Sequence, residues 1–252
     1  MKSTEDQELR TSQRAGRVLA GREGDVALKV ISAPGRLNAF TRAMRADIVQ
    51  TLCKIESEAD LVGAIITGDG NAFCAGQDFN EVRAWTGDTP WLAEFRAYVE
   101  ALSAFPKPLV AAFNGVATGG GSQSALMCDG RIAHAGVGMG QPEVRSDLAS
   151  VIDTWLLNRS VGAVRARELV LSGRLMKVAE LVKLGFVDRV VSKGSVVSVA
   201  IDKCREFAGN PAESFARTKR WLYESSRVEL EEVCEDATRR FRAAESGRTA
   251  RP

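Results

Sequence analysis

The chain has 252 residues, 45% hydrophobic and 26% charged, which suits one large domain with a proper core. Its 34 basic and 32 acidic residues leave a net charge of +2, without the strong one-sided field of a nucleic-acid binder. Five scattered cysteines with no CxxC spacing, and a single histidine, indicate neither a disulfide framework nor a metal site.

Residues 1–16 are polar and read as a disordered tail without the apolar centre of a secretory signal. No apolar run reaches the roughly 20 residues of a membrane span, so a cytoplasmic protein that engages no membrane is expected. VLAGREGDVALKVIS (18–32) alternates around Glu-Gly-Asp and predicts a β-hairpin. In 41–58, Met44, Ile48, Leu52 and Ile55 fall on one helical face, with Thr41 as N-cap. LVGAIITG (61–68) and KPLVAAFNG (107–115) are continuous apolar runs, as in buried parallel strands, and 91–105 between them is helical. A helix follows the glycines at 119–121, GRIAHAG is a third strand, and helices over VIDTWLLNRSV, GAVRARELVLSG and KVAELVKLG precede a short strand, FVDRVVS. Three further helices complete the chain: SVVSVAIDKCREFAGN, PAESFARTKRWLYESS and RVELEEVCEDATRRFRAA. Strands alternating with helices predict an α/β core of right-handed crossovers with a helical C-terminal appendage.

Two glycine-bearing turns follow buried strands, GDGNAFCAGQDF (68–79) and GVATGGGSQS (115–124). Each would present backbone N–H groups outside the carboxyl end of a parallel strand, and a pair of convergent N–H groups is what an oxyanion needs. The helix after Gly121 would add the positive end of its dipole. Tight packing alone is the competing reason for both turns. No Gly-Lys-Ser/Thr follows either turn, which excludes a P-loop. GGSQS lacks the last glycine of a nucleophile elbow, so a serine triad through His134 is set aside and His134 reads as a surface residue near a strand end.

NAFCAGQDF, KPLVAAFNGVATGGG with ALMCD behind it, GQPE, and GRLMKVAELVKLGFVDRVV, in that order, resemble the enoyl-CoA hydratase/isomerase (crotonase) superfamily over about residues 18–225. The resemblance implies a spiral α/β fold of repeated ββα units, with a crotonase core over 17–195 and a helical trimerisation region over 196–252. It implies an acyl-CoA thioester as substrate, coenzyme A entering only as part of it, no tightly bound cofactor, and a homotrimer or dimer of trimers. On the matching positions the oxyanion donors are the main-chain N–H groups of Gln77 and Gly120, flanked by Gly119 and Gly121. Coenzyme A is implied along 36–40 and 75–78, near Ala39, Ala75 and Asp78, with Arg36 as a phosphate contact or a solvated loop residue.

Hydratases of this family use two glutamates. The second is present as Glu143; the first position holds Gln123, an amide that orients water but does not exchange protons near neutrality. Asp147, Val151 and Ser150 replace the glycines and proline that usually follow, and Asp147 is either a pocket carboxylate or a solvated turn acid. The chain also ends early for the family, so Lys219, Arg220 and the closing arginines are candidates to complete the adenine and 3′-phosphate pocket. A lone Glu143 suffices to move a proton from C2 to C4, so a double-bond isomerase is the leading expectation. A hydratase with Gln123 orienting water, other enolate chemistry and a catalytically silent acyl-CoA binder are the alternatives.

Overall fold

The computed structural model describes residues 16–83, 91–146 and 149–249. The expectations for a disordered tail and for Asp147 therefore lie wholly or mostly outside the described residues. The hairpin is β1 (Arg17–Glu23) and β2 (Val26–Ser32), antiparallel as expected. The helix at 41–58 is α1 (Arg42–Ser57), and the Thr41 side chain accepts from Met44 N at 3.2 Å.

The apolar runs become β3 (Gly63–Gly68) and β5 (Leu109–Phe113), which join β7 (Gly130–His134) and β10 (Arg189–Val191) in a six-stranded sheet ordered β1-β2-β3-β5-β7-β10. From β2 onward its neighbours pair in parallel. Side chains alternate across such strands. Ala64, Ile66, Leu109 and Ala111 accordingly enter one core and Ile65, Val110 and Ala112 the other.

The first core is covered by α1 and α3 (Trp91–Ala104); the second is covered by α8 (Val196–Ala208) through Val196, Ala200, Ile201 and Cys204. Thus α8, assigned from the resemblance to a C-terminal region, lies across the large sheet and closes its second face.

A second sheet, absent from the sequence reading, pairs β4 (Ala72–Cys74), β6 (Val116–Thr118), β8 (Gly138–Gly140) and β9 (Leu175–Lys177). Each has only three residues, too short for a visible alternation. The chain steps from the large sheet to the small one three times, β3 to β4, β5 to β6 and β7 to β8, which is the expected spiral. Between and after these steps lie α2 (Phe79–Arg83), α4 (Gly120–Leu126), α5 (Val151–Val161), α6 (Ala163–Ser172) and α7 (Val178–Lys183). The last two expected helices are one continuous element, α9 (Ala212–Thr249). No glycine or proline interrupts the expected break near 226, and Ser225 and Ser226 bond back to Leu222 O and Tyr223 O within the helix.

Candidate active site

The turn after β4 is sewn to the segment 36–40 by three main-chain bonds: Ala75 N to Leu37 O, Phe40 N to Gly76 O and Asp78 N to Phe40 O, at 2.7–3.0 Å. Asn38 holds the same segment, its amide donating to Asp69 O and Ala72 O at 2.8 Å. Asp78 is buried; it caps α2 through Asn80 N and pairs with Arg36. Ala75 N, Asp78 and one guanidinium nitrogen of Arg36 thus help to shape the turn, and Ala39 is buried.

The turn after β6 comes alongside. A methyl carbon built on Gly76 would lie 3.4 Å from Gly120 N, and one built on Gly120 would lie 3.9 Å from Gln77 N. No main-chain acceptor among the described residues takes Gln77 N–H or Gly120 N–H. Gly119, with φ of 51°, bonds Gly140 O through its own N–H. Gly121 faces the other way: its missing side chain admits the Cys74 carbonyl, 2.2 Å from where a Cβ would stand.

Glu143 lies beside this pair of turns. Its Oε1 approaches Gly119 so closely that a Cβ there would sit 2.6 Å away. Its other oxygen, Oε2, is 3.1 Å from Ser150 Oγ, and the same hydroxyl is 3.3 Å from Oδ2 of Asp153. Asp153, 2% exposed, accepts from Gln123 Nε2 on its remaining oxygen. Gln123 is itself buried, so the position expected to hold an acid instead holds one in place. Sequence reasoning missed Asp153. The signal was present: Asp153, Leu156 and Leu157 share the i, i+3, i+4 stripe that α5 buries.

Burial is the leading cause that raises the Asp153 carboxyl well above its ordinary range, followed by the charge of Glu143. Burial also raises Glu143, opposed by hydrogen bonds that favour its ionised form, among them those from Asp153 and Ser150. Of the two, the more deeply buried Asp153 is pushed further toward its neutral form, and the Ser150 hydroxyl lies within hydrogen-bond distance of both carboxyl groups. Two carboxyl groups of raised proton affinity thus meet beside one hydroxyl.

Other expected participants stand elsewhere. Lys219 is buried and bonded to Asp129 at 2.7 Å, which removes it from the phosphate role considered above. Arg220 is exposed on α9. His134 Nε2 bonds Asn114 O, and its Nδ1 accepts from Gly136 N. Among the described residues no cluster of metal-ligating side chains occurs, and no helix is long and apolar enough to cross a membrane.

Two sheets wound by alternating strands, with paired glycine turns above an acid, define a crotonase-type protein, and the comparisons agree. The family model for enoyl-CoA hydratase/isomerase matches residues 21–249. A Mycobacterium tuberculosis protein named "Probable enoyl-CoA hydratase" is 33% identical over 184 residues, covering 73% of this chain and 72% of its own. A Dictyostelium discoideum protein named "Probable enoyl-CoA hydratase, mitochondrial" is 31% identical over 212 residues, covering 84% and 76%. Among solved structures, an enoyl-CoA hydratase subunit from Geobacillus kaustophilus superposes with a TM-score of 0.76 at 29% identity, covering 90% of this chain and 87% of that one. The chain belongs to the enoyl-CoA hydratase/isomerase family.

Proposed function

We propose that the protein is an acyl-CoA enzyme that moves the double bond of a 3-enoyl-CoA to the 2 position, using Glu143 as the proton carrier. The observation that carries this reading is the placement of the Glu143 carboxylate against Gly119, next to the unengaged N–H groups of Gln77 and Gly120. The thioester oxygen accepts from those two N–H groups. Glu143 removes a proton from C2, the electron pair passes into the thioester as an enolate, and the double bond shifts as Glu143 returns the same proton to C4. The two donors stabilise the charge on the oxygen, each worth on the order of 3 kcal/mol in the transition state. Burial keeps Glu143 basic enough to take the proton. Coenzyme A enters as part of the substrate, and a trimer or dimer of trimers in the cytoplasm belongs to the same reading.

Asp153 favours a second reading, hydration of a 2-enoyl-CoA. Water addition needs a base and an acid together, and Asp153 supplies through Ser150 the proton that Gln123 does not. The two readings separate in one assay pair. With 3-hexenoyl-CoA, isomerisation raises ultraviolet absorbance as the conjugated ester forms; with crotonyl-CoA, hydration lowers it. Glu143→Gln is expected to reduce either activity by about 10²–10⁴-fold. Asp153→Asn is expected to spare isomerisation within about tenfold and to abolish hydration. An active Glu143→Gln enzyme overturns both readings.

A further inference from the structure

Among the described residues, one buried cation keeps two side-chain donor atoms that are themselves buried and unbonded. Arg45, on α1, is 4% exposed, and its Nη1 donates to the side-chain oxygen of Gln77. Its Nε and Nη2 are buried and have no hydrogen-bond partner. Burial is the main influence on this guanidinium and lowers its proton affinity, yet arginine stays charged in proteins.

The groups around it do not neutralise it. Glu94 is held at both oxygens by Arg42, through Nε at 2.7 Å and through Nη2. Glu81 takes the main-chain N–H of Arg42 at 2.9 Å and the Gln77 amide at 2.9 Å. Tyr98 bonds Ser124 Oγ at 3.0 Å, and burial holds its phenol in the neutral form. The Cys74 thiol is pushed up to about 12 by burial and is also neutral.

The two unpaired donors specify a ligand. Nε–H and Nη2–H form one edge of the guanidinium, the edge that meets both oxygens of a carboxylate at once. Gln77 ties the guanidinium to the thioester site, because its main-chain nitrogen lies beside Gly120 while its side chain reaches Arg45. An extended glutamine side chain plus one hydrogen bond spans roughly 8 Å, about the reach of a five- or six-carbon acyl chain.

We propose that Arg45 binds a carboxylate at the far end of the acyl group, so that the substrates are CoA monothioesters of short dicarboxylic acids. This rests on the reading of the site as an acyl-CoA enzyme and adds the substrate class. Gln77 then has two functions: its main chain meets the thioester oxygen, and its side chain aims the arginine.

The test compares hex-3-enoyl-CoA with its ω-carboxylated analogue, hex-3-enedioyl-CoA, in wild type, Arg45→Met and Arg45→Lys. Wild type is expected to favour the diacid ester at least tenfold in kcat/KM. Arg45→Met should invert that ratio. Arg45→Lys, which keeps the charge without the fork, should fall between the two and serves if the methionine variant does not fold. Calorimetric binding of adipyl-CoA against hexanoyl-CoA reads the same preference without turnover. Turnover of the neutral ester with no preference for the diacid, or a ratio unmoved by both substitutions, overturns the assignment of Arg45 and leaves the enzyme reading standing. Failure of every CoA ester to bind or react overturns both.

Discussion

Gln123 stands at the first-glutamate position as a hydrogen-bond donor, and the acid it holds, Asp153, comes from the next helix. This has a pH signature. Below the ordinary value of an unfolded aspartate, near 3.9, Asp153 is protonated in both states and its burial carries no ionic cost. As pH climbs toward its raised folded value, the unfolded chain releases the proton more readily than the folded one, so the folded state loses stability. Asp153→Asn lacks that proton, and its stability is expected to change less than that of wild type between pH 5 and pH 8. Urea midpoints at the two pH values measure the difference; parallel losses would show that Asp153 is not held protonated. Glu143 was legible in the sequence because GQPE is a local pattern. Asp153 was not, because its partners lie 30 positions away at Gln123 and across a turn at Glu143.

At the level of elements, the long apolar strands and the amphipathic helix α1 were readable because their burial repeats along the chain. The small sheet was not, since β4, β6, β8 and β9 are specified by how the large sheet delivers them rather than by their own pattern. These short strands nevertheless set the spacing between Gln77 and Gly120, one turn following β4 and the other β6. One added residue displaces a strand end by about 3.3 Å, farther than a hydrogen bond tolerates. A single glycine inserted between Ala75 and Gly76 is therefore expected to abolish turnover while the same insertion in the β1–β2 turn is tolerated, as kcat and thermal midpoints would report. Equal activity of the two variants would separate the small sheet from the chemistry.

For the whole molecule, α9 packs on α3 and α5 and places Leu230, Cys234 and Ala237 in buried positions. Near its start the chain is fastened by Lys219, whose ammonium reaches Asp129, the last residue of ALMCD, and lies 5.5 Å from the Phe105 ring centroid. Burial raises the Asp129 carboxyl despite the lysine, so removal of the lysine strands a costly group. Lys219→Met is expected to cost about 3 kcal/mol, and adding Asp129→Asn should recover part of it, a coupling that a double-mutant cycle in urea would quantify. Additive losses would mean that the pair does not anchor the helix.

The position of α8 also bears on synthesis. The inner face carrying Val26, Ile65, Val110 and Ile132 waits for Val196, Ala200, Ile201 and Cys204. At roughly 5–20 residues per second, a ribosome takes several seconds to travel from Ile132 to Cys204. For that interval the nascent sheet shows a greasy, unlidded side.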